Sequence, residues 1–228
     1  MKNLVESPRF KMNILLALMT LFCFSLSVFR YCISETKVFL FLNWNLFLAW
    51  VPLFLSSLIL IFNMKSKISV TLIIIVWILF FPNSPYILTD LFHLKTRNTI
   101  PIWYDLIVIL SYAWTGLICG FLSLNDIEKL LSGYTKERII NSIVVLFLFM
   151  SSFGVYLGRF LRWNSWDVLN NPFGLFNDIV LRFIYPLEYT KTWGVTILMG
   201  IMLNFMYFTF KLIRNNSEPL LQPENTAD

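Results

Sequence analysis

Long runs of apolar residues, separated by short polar stretches, follow one another along the 228-residue chain. Most runs approach the roughly 20 residues that a helix needs to cross a hydrocarbon core about 30 Å thick. Lipid offers no hydrogen-bond partners to free backbone groups, so we expect each run to be helical. The pattern predicts an all-α membrane bundle of about six transmembrane helices, with ranges near 12–29, 38–62, 68–90, 101–122, 139–158 and 192–210.

One further helix is predicted between the last two spans, at residues 173–187. Its apolar residues recur at helical spacing, whereas Asn177, Asp178 and Arg182 fall largely on the other side. This pattern is typical of an amphipathic helix lying in the membrane interface, and a re-entrant segment is the alternative. We expect residues 1–214 to form a single membrane domain and the polar residues 215–228 to be a disordered tail.

An even number of spans places both termini on the same side of the membrane. That side carries ten Lys and Arg residues and the other side eight, a small excess that favours cytoplasmic termini. The first apolar run follows Lys2, Arg9 and Lys11, as in a signal peptide. No small-residue cleavage site follows it, so we interpret it as a retained helix.

Composition and charge exclude several classes of protein. The chain is 57% hydrophobic and 14% charged, with a mean hydropathy of +0.70, whereas soluble domains carry about 25% charged residues. The net charge of +5 is scattered between apolar segments, which argues against a nucleic-acid-binding face. We expect no cofactor and no metal: Cys23, Cys32 and Cys119 form no CxxC pair, and His93 is the sole histidine.

Four polar clusters are predicted to share one face of the membrane. They lie at the start of span two, the end of span three, the start of span four and the end of span five, which six alternating spans bring to the same side. With cytoplasmic termini this face is the outer one. The clusters are Asn43–Asn45, Pro82–His93, Trp103–Asp105 and Gly158–Asp167.

The third span contains the sharpest local signal. Pro82 removes a backbone donor, and Ser84 followed by Pro85 is typical of an N-cap and first helical position. We therefore predict that the helix breaks in the outer leaflet and restarts toward Asp90 and His93. Broken spans often line binding sites, and the alternative is a simple proline kink.

Three residues are candidates for catalysis. Asp90 and His93 share a helix face, so the carboxylate could orient the imidazole for proton transfer. The alternative is a charged helix end in the headgroup region. Asp105 lies one turn inside span four and needs a partner, for which Arg159 or Arg162 is expected.

The remaining candidates are for binding. Arg159 and Arg162 are three residues apart, and two guanidinium groups suit the phosphate of a lipid headgroup. Snorkelling arginines at a helix end, or pairing of one of them with Asp167, are the alternatives. Several tryptophans fall at the same rim, as in an aromatic belt. The other predicted binding residues are Asn43, Asn45, Asn83, Trp163, Asn164 and Asp167.

The four clusters also carry a family resemblance. Asn43–Pro52, Phe81–Asp90, Trp103–Asp105 and Gly158–Asp167 resemble the bacterial membrane proteins grouped as domain of unknown function 1361, and the likeness runs from about residue 40 to 210. The resemblance implies a multi-spanning protein of a bacterial membrane. It implies no activity, substrate or catalytic residue.

Three functions are compatible with the sequence. The first is binding of a lipid headgroup or a partner protein through Arg159, Arg162 and the tryptophans. The second is a membrane enzyme acting on a lipid-linked or anionic substrate, with Asp90 or Asp105 as base and His93 as proton shuttle. This hypothesis lacks an HExxH, a Gly-rich phosphate loop or a GxSxG motif. The third is a small transporter, which would need charged residues at mid-membrane on several spans.

Overall fold

The computed structural model describes residues 8–64, 66–96 and 100–217, and these contain helices and no strand. Six helical segments, one of them the interrupted segment Lys67–His93, are long and apolar enough to cross a membrane, which confirms the predicted all-α bundle. The helices are α1 (Pro8–Ser34), α2 (Phe41–Ile61), α3 (Lys67–Phe80), α4 (Asn83–Tyr86), a 3-10 helix (Ile87–His93), α5 (Ile102–Ser132), α6 (Glu137–Leu161), α7 (Asp167–Asn170), α8 (Pro172–Ile184) and α9 (Thr190–Ser217).

Several helices run past the apolar segments that predicted them. A hydropathy pattern ends at the first charged residues, whereas backbone hydrogen bonding continues until the chain can no longer remain helical. α1 therefore includes Arg30, and α5 extends ten residues beyond residue 122 to Ser132. α9 continues to Ser217, and the disorder predicted for residues 215–228 stays a prediction. Residues 218–228 lie outside the described range, as do Lys2, Lys65 and Arg97.

The third span is broken as predicted, but its second part begins differently. α3 ends at Phe80, and α4 passes directly into the 3-10 helix. Pro82, not Ser84, occupies the N-cap position, and the Ser84 hydroxyl instead donates to the carbonyl oxygen of Ala49 at 3.2 Å. The break is thus stabilised by a hydrogen bond to α2 rather than by a local cap.

α5 is the central helix, and its apolar window is the most buried of the six candidate spans. It contacts α1, α2, α4, α6 and the 3-10 helix. Small side chains along its buried surface allow neighbouring backbones to approach closely, as is usual where helices associate in lipid. These small buried residues are Ala113, Thr115, Gly116, Cys119, Gly120 and Ser123.

Glycines of α5 and α6 enclose the broken part of the third span. A Cβ atom at Gly120 would lie 2.7 Å from the Cβ of Ser84, and one at Gly154 would lie 2.9 Å from the Cγ of Pro82. Backbone irregularity at membrane depth is tolerated only where protein surrounds it. The two glycines provide this enclosure.

α8 begins at Pro172, and the Asn171 side chain caps it by accepting a hydrogen bond from the Gly174 amide at 3.1 Å. Phe173 and Phe176 are 87% and 68% exposed, which leaves an apolar surface for lipid. Placement of α8 in the membrane interface stays a prediction. Arg182, predicted for its polar side, is instead buried.

We expect Gly120→Ala to lower the free energy of unfolding by about 1–3 kcal/mol, because the added methyl group overlaps Ser84. Gly194→Ala is the matched control, since a Cβ there meets nothing within 4 Å and alanine favours a helix. Thermal denaturation of both purified variants in detergent, followed by fluorescence-detected size exclusion, measures the difference. Equal melting temperatures for the two variants would contradict the close packing.

Candidate functional site

Arg159, near the end of α6, connects α6 to the 3-10 helix. Its Nε donates to the Thr89 hydroxyl at 2.7 Å, one terminal nitrogen is 2.9 Å from Nε2 of His93, and the other binds Oδ1 of Asp90. The guanidinium carbon lies 4.5 Å from the centre of the Tyr86 ring, a cation–π distance. All three nitrogens of Arg159 are thus engaged within the protein.

Asp90 is 1% exposed, and both of its carboxylate oxygens are occupied. Oδ1 accepts from Arg159, and Oδ2 accepts from the Asn45 amide of α2 at 2.9 Å. A buried carboxylate needs such compensation because lipid and protein interior solvate it poorly. Asp90 therefore joins α2 and α6 through the 3-10 helix.

His93 lies at the exposed end of this network, and Arg159 rather than Asp90 contacts its ring. A guanidinium group has only donors, so Nε2 of His93 must be the acceptor, which places the neutral ring's proton on Nδ1. Phe41 packs edge-on against the ring at 5.4 Å between centroids. The expected direct orientation of His93 by the Asp90 carboxylate is replaced by one through Arg159.

Asp105 belongs to a different network, and its expected partner was wrong. It pairs with Arg30 of α1, at 2.7 Å between Nε and Oδ1 and 3.2 Å between the second nitrogen and Oδ2. Both residues are 0% exposed. α1 packs directly against α5, which brings Arg30 to Asp105. Arg159 lies near the end of α6 and binds the 3-10 helix instead.

The remaining donors of Arg30 are also satisfied by nearby groups. One terminal nitrogen lies 3.1 Å from the Thr36 hydroxyl and 3.3 Å from the Val38 carbonyl oxygen. The guanidinium carbon lies 4.8 Å from the centre of the Phe39 ring. The pair therefore fixes α1 and the following loop to α5, and it is a structural element rather than a reactive group.

The asparagines also divide between sites. Asn43 accepts from the Tyr112 hydroxyl, on the α1 and α5 side, whereas Asn45 binds Asp90. Asn83 donates to the Phe80 carbonyl oxygen at 2.8 Å and to the Ser165 hydroxyl at 3.0 Å. The predicted clusters thus do not converge on one site: Asp105 pairs with Arg30, and Asn45 joins the Asp90–Arg159 pair. Asn43 and Asn83 bind Tyr112 and Ser165 instead.

Beyond α6 the chain turns at Arg162, which has a left-handed backbone with φ of 62°. Trp163 donates from Nε1 to Asp178 of α8 at 2.7 Å. Asp167 accepts from the backbone and side-chain nitrogens of Asn164, at 2.7 and 3.2 Å, so its expected pairing with an arginine is not what the geometry provides. Arg162 is exposed, and the described residues give its guanidinium no hydrogen bond or ion pair.

The opposite end of the bundle holds charged residues that sequence reasoning missed. Arg9 of α1 binds both oxygens of Asp126 at 2.7 Å, and the Ser56 hydroxyl donates to the same carboxylate at 3.0 Å. Lys211 of α9 binds Glu128 at 2.7 Å. Both acids lie past the predicted end of span four, so in the sequence they look like loop charges. They lie where the helix continues beyond the apolar run, and that position was a usable signal.

A family model described as "Protein of unknown function (DUF1361)" matches residues 44–206, well over half of the chain. The matched region contains Asp90, Asp105 and Arg159 but not Arg30, the loop that follows it, or Asn43. No curated protein and no solved structure matches the chain. Among the described ranges, no group of three metal-ligating side chains occurs.

Asp105→Asn should lower the free energy of unfolding by about 3–5 kcal/mol, because it leaves the Arg30 charge buried without a counter-charge. Combining Asp105→Leu with Arg30→Met should restore much of the loss, since it removes both charges. Glu137→Gln, an exposed acid at the start of α6, is the control and should change little. Thermal unfolding in detergent measures all three. A double variant no more stable than Asp105→Asn would contradict the coupling.

Proposed function

The chain belongs to the DUF1361 family, and from this premise we propose that it binds the anionic, phosphate-bearing headgroup of a lipid at the face that carries Arg159, Arg162 and His93. In this proposal the protein is a multi-spanning component of a bacterial cell membrane, and this face is the outer one. The binding residues are Arg162 and His93, and Arg159 positions His93.

The observation that carries the proposal is the state of Arg162. Its side chain is exposed at the end of α6, without a hydrogen bond or ion pair from the described residues. Arg159, one turn earlier, is by contrast fully engaged. A Cβ at Gly158 would lie 3.2 Å from the Tyr86 ring and 3.5 Å from the Trp163 carbonyl oxygen, so the turn that carries Arg162 lies close to the ring covered by Arg159. Guanidinium groups at such positions bind phosphate well.

His93 supplies a second donor. Because its Nε2 accepts from Arg159, a neutral ring carries its proton on Nδ1, and His93 is an exposed residue. The surface next to the Asp90–Arg159 pair therefore offers N–H donors, whereas both oxygens of the nearby carboxylate are occupied. A surface that offers hydrogen-bond donors but no free carboxylate oxygen favours binding of an anion. Exposed Trp44 and Trp103, 54% and 59% exposed, suit the headgroup region in which a lipid presents its phosphate.

The same contacts give less support to catalysis. A general base must reach its substrate with a free lone pair. Asp90 is buried with both oxygens bound, and Asp105 is buried against Arg30. Neither a transport pathway nor a protein-binding surface is favoured by a comparable observation. We therefore favour a binding protein over an enzyme or a transporter.

The sole histidine provides a single-site probe of this proposal. We expect short-chain phosphatidic acid to shift the ¹⁵N signals of His93 in detergent-purified, tag-free protein labelled at histidine, and short-chain phosphatidylcholine to leave them unchanged. Arg162→Gln should weaken the response by roughly three- to tenfold, the size of one solvated charge-assisted contact. Lys37→Gln, which removes an exposed charge from the same face, is the control and should leave the response unchanged.

Two results would contradict headgroup binding at Arg162. One is an unshifted His93 signal at saturating lipid, and the other is equal weakening by Arg162→Gln and Lys37→Gln. Chemical conversion of the added lipid would favour the enzymatic alternative instead.

The proposed orientation has its own test, because the three cysteines differ in exposure. Cys32 is exposed near the end of α1 on the Arg159 face, whereas Cys23 and Cys119 are buried. We therefore expect a membrane-impermeant maleimide to label the native protein once, at Cys32, in intact cells, and Cys32→Ser to abolish labelling. Labelling of Cys32 only after permeabilisation would place the termini outside.

A further inference from the structure

A large groove opens between α1 and α9 on the surface of α5, at the end of the bundle opposite Arg159. Its volume is about 930 Å³, near the upper end of the roughly 300–1,000 Å³ typical of small-molecule sites. The walls are mainly apolar. The apolar lining includes Met12 of α1, Trp114, Ile118 and Leu122 of α5, and Phe205 and Met206 of α9.

The groove is long as well as wide. From Trp114 to Lys129, α5 rises about 22 Å at about 1.5 Å per residue. Half of a hydrocarbon core about 30 Å thick is only about 15 Å. The groove therefore extends along more than the depth of one leaflet, which is sufficient for an extended acyl chain.

Charge is concentrated at one end of the groove. Arg9, Lys129 and Arg214 line it together with Asp126. Arg9 binds Asp126 through two hydrogen bonds of 2.7 Å. One terminal nitrogen of Arg214 is buried and has no hydrogen-bond partner among the described residues. A buried guanidinium N–H without an acceptor is costly, so this nitrogen identifies where an acceptor is missing.

We propose that this groove binds one anionic phospholipid, with an acyl chain along α5 between α1 and α9 and its phosphate at Arg214. An apolar channel that ends at a cluster of cations matches a molecule that joins a hydrocarbon chain to a phosphate. An extended peptide segment would bring unpaired backbone groups against Trp114, Ile118 and Phe205, which is unfavourable in an apolar environment. This site lies at the opposite face from Arg162 and does not depend on the function proposed for it.

The test is native mass spectrometry of the full-length protein, delipidated in detergent and titrated with phosphatidylglycerol or phosphatidylcholine of identical acyl chains. The wild-type protein should retain phosphatidylglycerol preferentially. Arg214→Gln should reduce this preference by roughly three- to tenfold, and Arg214→Lys should retain much of it. Arg138→Gln removes an exposed cation at the same end of the bundle but outside this groove and should have no effect.

Two further variants test whether the apolar walls are needed for lipid binding and whether residues 218–228 contribute to it. Leu122→Trp should fill the groove and reduce binding of both lipids, and an unchanged melting temperature would show that the variant folds. Deletion of residues 218–228 should leave the preference intact. Equal binding of the two lipids by the wild type, equal effects of Arg214→Gln and Arg138→Gln, or loss of preference on the deletion would each overturn the proposal.

Discussion

The bundle depends on pairing its buried charges between helices. Apolar helices in lipid gain little from the hydrophobic effect when they associate, because the acyl chains are as apolar as their side chains. A buried ion, in contrast, must find its counter-ion at a defined place, and so it selects which helices become neighbours. The contacts that do this are Arg30–Asp105 and Arg9–Asp126 between α1 and α5, Asp90–Arg159 between the 3-10 helix and α6, and Glu128–Lys211 between α5 and α9.

α5 is the common partner in most of these contacts. It carries an acid near its start and two more near its end, and small residues between them admit α2 and the broken third span. The close approach at Gly120 allows Ser84 to reach the Ala49 carbonyl oxygen, which in turn holds the 3-10 helix where Asp90 can meet Arg159. The contacts around Arg159 thus depend on packing at the central helix.

The helices could be predicted from the sequence, but which helices pack against each other could not. Lipid demands long apolar helices, so six spans and the shared face of Asp90, Asp105 and Arg159 could be predicted from hydropathy alone. Alternating direction tells which end of a helix a residue occupies, and it does not tell which helix lies beside it. For this reason Asp105 was matched with the wrong arginine. Arg30 was overlooked because a hydropathy window stops at the first charge, whereas the α1 backbone remains helical to Ser34.

The spacing of the α1 contacts along the chain bears on how the protein is assembled during synthesis. Arg30 precedes Asp105 by 75 residues, and Arg9 precedes Asp126 by 117. The ribosome therefore completes α1 long before either counter-ion exists. Until α5 is released into the bilayer, α1 must keep Arg30 near water or within the insertion machinery. These two ion pairs can consequently fix α1 in place only after α5 has been translated.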